Sequence, residues 1–148
     1  MNKRLIPLVL PLAAVGAGAA VVAGTASTAV AKSSSTVIST RHTSLGTFLV
    51  GPNGHALYLF AKDKTSTVTC TGACAKVWPP LTGTPKAGKG VNSKLLGVTK
   101  THVITYKGHP LYYYITDTKA GQVTGQHVDS FGAEWYVVSP SGSAITKG

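Results

Sequence analysis

Gly54-His55-Ala56-Leu57-Tyr58-Leu59-Phe60-Ala61-Lys62-Asp63 returns 54 residues later as Gly108-His109-Pro110-Leu111-Tyr112-Tyr113-Tyr114-Ile115-Thr116-Asp117. Glycine, histidine, leucine, tyrosine and aspartate match at a constant offset, and Phe60 and Tyr114 match as aromatics. Flanking landmarks keep the same order, with Leu45-Gly46 and Leu96-Gly97 upstream and Trp78 and Trp135 downstream. A stretch repeated together with its flanks is an internal duplication, and it sets the unit from which the fold is read.

Each copy reads as a hairpin. In the first, Leu45 to Val50 is a strand, Pro52-Asn53-Gly54 turns, and His55 to Ala61 returns. Asn-Gly supplies the positive φ angles that a tight hairpin requires. In the second, His102 to Tyr106 runs out, Lys107-Gly108 turns, and His109 to Ile115 returns. Glu134 to Ser139 adds a strand that Pro140 ends. Val, Ile, Thr, Tyr and Phe dominate these segments and pack well on a pleated surface. Alternate side chains in a strand share a face. Tyr58 and Phe60 therefore point together, as do Tyr112 and Tyr114, while Leu57, Leu59, Leu111 and Tyr113 point the other way. Return strands with two apolar faces are central and covered on both sides. The expected fold is all-β, a compact antiparallel domain of two duplicated hairpin repeats with pseudo-twofold symmetry, and no helix of useful length follows the N-terminal segment.

That segment begins Met1-Asn2-Lys3-Arg4, continues as an apolar stretch to about Gly24, and ends Ala29-Val30-Ala31. A positive start, an apolar middle and an A-x-A end read as a secretory signal peptide over residues 1–31, cut before Lys32. A membrane span needs about 20 strongly apolar residues, and Pro7, Pro11, Gly16, Gly18 and Gly24 interrupt this one. The organisation expected from there is a flexible Ser/Thr-rich leader at 32–41, a domain at 42–140 with repeat one at 45–81 and repeat two at 96–140, and a frayed tail at 141–148.

The pattern G-x-x-L-Y-x-[FY]-x-x-D, then C-x-x-x-C, then W-P-P-L, then a second copy ending G-x-x-W-Y-V-V-S-P, resembles the bacterial secreted-repeat family with the Y-x4-D motif, often described as predicted lipoproteins of unknown function. The residues that carry the resemblance are Tyr58 to Asp63, Cys70 to Cys74, Trp78-Pro79-Pro80-Leu81, Tyr112 to Asp117 and Gly132 to Pro140. It implies export and a bacterial source, and it brings no established activity. This chain departs from the lipoprotein pattern, because its only cysteines are Cys70 and Cys74 and neither lies at the cleavage site.

The cysteines are the sharpest local feature. Two cysteines in an exported chain usually pair, and Thr71-Gly72 lets the four-residue spacing fold back. The alternative is a soft-metal or redox site, because thiolates suit Cu(I) and His55, His109 or His127 could add a ligand. His55 and His109 occupy equivalent positions after the turns, as turn-flanking polar groups or as a haem or metal pair. Asp63 and Asp117 end the return strands. Glycosidase chemistry needs two carboxylates in different protonation states, and duplication gives these two similar surroundings. They read better as acceptors for backbone amides of the following turn. Trp78 and Trp135, with the matched tyrosines, either fill the core or, with His55 and His109, line a ligand groove.

No nucleophile elbow, zinc-protease motif or phosphate-binding glycine loop occurs. The chain is accordingly expected to be non-enzymatic, with no catalytic residue, cofactor or metal assigned. Beyond residue 31, twelve basic residues against four acids give +8. That balance favours anionic cell-wall polymers or a membrane surface as partners. Arg41 is the sole arginine of that region and no run of three lysines occurs, which argues against specific nucleic-acid recognition. The reading is a secreted, cell-envelope structural or binding module, with a redox or metal accessory role for the C-x3-C pair as the alternative.

Overall fold

The computed structural model describes residues 34–148, together with the single positions Gly16, Gly18, Ala20 and Gly24. The expected cleavage site and the rest of the signal segment lie outside the described residues. The chain divides into two units, residues 1–31 and 32–148, and the second carries both repeats. It is built of short strands: β1 (Ser35–Thr43), β2 (Gly46–Val50), β3 (Tyr58–Phe60), β4 (Thr84–Ala87), β5 (Leu96–Val98), β6 (Ile104–Tyr106), β7 (His109–Pro110), β8 (Asp129–Ser130) and β9 (Ala133–Val137). An α-helical turn, α1 (Ala73–Val77), lies between β3 and β4, and a 3-10 turn, Ser93–Leu95, leads into β5.

The first strand corrects the expectation of a leader and adds one parallel pairing to an otherwise antiparallel all-β fold. Most of the segment read as a flexible leader, from Ser35 onward, is β1, which pairs antiparallel with β2 from Ser39 opposite Val50 to Thr43 opposite Gly46. It also pairs in parallel with β4, from Ser35 opposite Thr84 to Ile38 opposite Ala87. Hydroxyl-rich composition hid a strand whose Thr, Val and Ile are β-branched and whose Ile38 is wholly buried. The fold is therefore not purely antiparallel. The tail is also anchored. Ile145 N–H donates to Val137 O at 3.0 Å, and Gln126 Nε2 donates to Ile145 O at 2.6 Å.

In repeat two the hairpin is as expected: β6 pairs with β7 around Lys107-Gly108, with φ of 49° and 80°. In repeat one β2 meets the return segment only at its start, where Val50 bridges Ala56 and Leu57 N–H donates to Leu49 O at 3.0 Å. Leu111 N–H donates to Ile104 O in the same way, so β2 corresponds to β6. The landmark match of Leu45-Gly46 with Leu96-Gly97 is thereby overturned, since Leu96-Gly97 lies on β5.

Beyond those first contacts each return strand crosses to the other repeat. Strand β3 pairs antiparallel with β9, Tyr58 opposite Val137 and Phe60 opposite Trp135. In the reciprocal half, Tyr113 N–H donates to Pro79 O at 2.8 Å and Ile115 N–H to Val77 O at 3.1 Å. At the centre Tyr58 and Tyr112 exchange both backbone hydrogen bonds, at 2.9 and 3.0 Å. A pseudo-twofold axis runs between them.

The alternation of faces separates two cores. One holds Phe48, Val50, Tyr58, Phe60, Cys70, Cys74, Trp78, Tyr112, Trp135 and Val137. The other holds Ile38, Leu49, Leu57, Leu59, Leu81, Ile104, Tyr106, Leu111 and Val138. Both return strands are covered on both sides, as their sequence requires.

Candidate functional site

The duplicated motif puts its chemistry at the axis. Tyr58 hydroxyl donates to Asp117 Oδ2 at 2.6 Å, and Tyr112 hydroxyl donates to Asp63 Oδ2 at 2.5 Å. Each tyrosine thus reaches the aspartate of the other repeat. All four side chains are buried.

The second oxygen of each carboxylate faces the loop that follows its own return strand. Asp63 Oδ1 accepts from Thr69 N–H at 2.8 Å and from Thr69 Oγ1. Asp117 Oδ1 accepts from Thr124 N–H at 2.9 Å and from Thr124 Oγ1. Three donors converge on each aspartate, which is how a buried carboxylate is satisfied without a cation. Burial, followed by the hydrogen bond to the carboxylate, pushes both tyrosine hydroxyls well above their ordinary range. Gly125 N–H donates to Tyr58 hydroxyl at 3.1 Å, and on the other side of the axis the Cys70 backbone partly offsets the rise at Tyr112.

The carboxylates therefore accept backbone amides as expected. Their partners Thr69 and Thr124, and Gly125, which donates to Tyr58, carry no mark in the sequence. Thr69 lies six residues after Asp63 and Thr124 seven after Asp117. That slip of one breaks the constant offset by which the duplication was found.

Beside these pairs, four rings form a continuous stack. Phe60 lies on Trp135 with centroids 4.2 Å apart, Trp135 on Trp78 at 3.9 Å with parallel planes, and Trp78 on Tyr114 at 4.0 Å. Tyr58 meets Trp78 edge-on at 5.3 Å and Tyr112 meets Trp135 at 5.2 Å. Such offset and edge contacts add about 0.5–1.5 kcal/mol each beyond the burial of area. Both indole N–H groups end on Ser130, Trp78 on its Oγ and Trp135 on its carbonyl, each at 3.2 Å. The groove reading fails for Trp78 and Trp135, which expose no surface. Their large apolar area is what joins the repeats.

His55 and His109 are half-buried at the turns. His55 packs edge-on against Tyr113 with centroids 6.5 Å apart. Desolvation, then the charge of Lys107, lowers the pKa of His109. Among the described residues, no three His, Cys, Asp or Glu side chains gather as a metal ion requires.

Cys70 and Cys74 form a disulfide with Cα atoms 5.2 Å apart. The bonded sulfurs leave no thiolate to ligate copper. The clip holds α1, from which Trp78 follows directly, and it starts at Cys70, next to the Thr69 N–H that serves Asp63. Repeat two has Gly125 where repeat one has Cys70. A Cβ on Gly125 would lie 2.7 Å from Trp78 Cη2 and 2.9 Å from Tyr58 Cε1.

A family described as a secreted repeat of unknown function matches the chain twice, at residues 39–82 and 98–139. Together the two matches span more than half of its length. No curated protein and no solved structure matches it.

Proposed function

The chain belongs to that family of secreted repeats, and from this we propose that it is a non-enzymatic binding module that attaches to anionic polymers of the cell envelope. The observation that carries the reading is how charge is divided between core and surface. Among the described residues all eleven lysine and arginine side chains are exposed. Of the four acids, Asp63 and Asp117 are buried, so Asp129 and Glu134 alone offer carboxylates to solvent. The accessible surface is more one-sided than the formal charge, and a surface of one sign draws polyanions by long-range attraction. The axial carboxylates each have both oxygens engaged by donors of the fold, which suits a role in holding it.

The test is retention on bacterial wall fractions with and without their phosphate-bearing polymers. Retention that falls as salt rises, and that is lost when those polymers are stripped, supports the reading. Retention indifferent to both would refute it.

A further inference from the structure

We propose that the aromatic core is a one-electron relay, in which an oxidising equivalent arriving at the Tyr114 end passes to the stacked Trp78 and Trp135 and settles on Tyr58 or Tyr112 as a neutral radical. Four observations carry this.

Tyr114 is half-buried while both tryptophans are sealed, so the stack has one edge at the surface. The two indoles lie parallel with centroids 3.9 Å apart, close enough to share a positive hole. Each indole touches a tyrosine edge-on, and that tyrosine already donates its hydroxyl proton toward a buried carboxylate. Finally, the core holds nothing easier to oxidise: both cysteines are joined in the disulfide, and the one methionine of the chain is Met1.

The chemistry balances with one external reagent, an outer-sphere one-electron oxidant such as a high-valent metal complex. It removes one electron from the tryptophan pair. The indole N–H groups end on a hydroxyl and a carbonyl of Ser130, which are poor bases, so the indoles keep their protons. An electron then moves from Tyr58 to the pair as its O–H bond breaks, and a new O–H bond forms on Asp117 Oδ2. The products are a tyrosyl radical, a neutral aspartic acid and the reduced oxidant. Tyr112 and Asp63 offer the same exit on the other side of the axis. An outer-sphere one-electron donor, such as a low-valent metal complex, reverses the step by returning the electron while Asp117 returns the proton.

The experiment uses the full domain with its disulfide intact and ruthenium(III) tris-bipyridine generated by a laser flash. Tyr136, which donates to Glu134 at the surface, is first replaced by Phe to remove a competing exit. The expected result is a tryptophan radical that decays into a tyrosyl radical, at a rate independent of buffer concentration because the base is internal. In Tyr58→Phe/Tyr112→Phe the hole should remain on the tryptophans. If that double variant does not fold, the buffer dependence of the parent decides alone. A rate that rises with buffer, or an undiminished tyrosyl signal in the double variant, would place the radical on surface tyrosines and overturn the proposal.

Discussion

Tyr58 sits in the first repeat, and the carboxylate that accepts its hydroxyl, 2.6 Å away, is Asp117 of the second. The exchange is returned by Tyr112 and Asp63. The two repeats thus share their most deeply placed polar groups, and the strongest energetic coupling should run between them.

A double-mutant cycle checks this. Tyr58→Phe leaves Asp117 Oδ2 and Gly125 N–H without their partner, a cost of about 1–3 kcal/mol. Urea unfolding of Tyr58→Phe, Asp117→Asn and the double variant should give a coupling of about 0.5–3 kcal/mol. The pair Tyr112 and Asp63 should give a similar value. The cross-check is Tyr58 with Asp63, which share no hydrogen bond and should be close to additive. A larger coupling within a repeat than between repeats would contradict the exchange.

Alkaline solution should unfold the domain through the same tyrosines. Their hydroxyls are held above the ordinary value of 10.0. A group with a raised folded pKa stabilises fully below its unfolded pKa and loses that contribution as pH rises. Stability should be flat from about pH 8 and fall once pH passes about 10. The urea midpoint followed between pH 8 and pH 12 measures it. The fall should be shallower in Tyr58→Phe/Tyr112→Phe, and an equal slope would show that other groups govern it.

Removing the clip should cost less than its position suggests. The disulfide closes a very short loop, and chain entropy alone assigns it about 2 kcal/mol. Cys70→Ala/Cys74→Ala should lower the urea midpoint accordingly while the protein still folds. Tryptophan emission should report a loosened stack, because α1 leads straight into Trp78. Unchanged emission and stability would mean that the hydrogen bonds to Asp63 hold this loop unaided.

Gly125→Ala should destabilise by about 1–3 kcal/mol, the usual cost of forcing a methyl group into a filled core. Its Cβ would press on the rings of Trp78 and Tyr58. Thermal unfolding reads the effect, and a variant as stable as the parent would show that the stack can shift to make room.

Much of this design was legible in the sequence, because a strand declares its faces by alternation. Tyr58 and Phe60 separate from Leu57 and Leu59 by period alone, and the two cores follow. The disulfide was legible from spacing and an oxidising destination. Three features were hidden for physical reasons. Strand β1 buries only Ile38 fully among a run of hydroxyls, so its composition resembles a linker. Thr69 and Thr124 slipped out of register by one residue. The exchange of partners between Tyr58 and Tyr112 depends on which strand lies beside which across the axis, and a duplicated sequence is compatible with pairing inside a repeat as well as between repeats.

The pairing of β3 with β9 also has a temporal meaning. Phe60 is in place well before Trp135 has been synthesised, yet the two must lie ring on ring. The sheet of β3, β9 and β8 draws on both halves, so it cannot form until its last strand has been made. For a secreted protein that dependence on the last strand keeps the shared aromatic stack unformed for as long as the chain is incomplete.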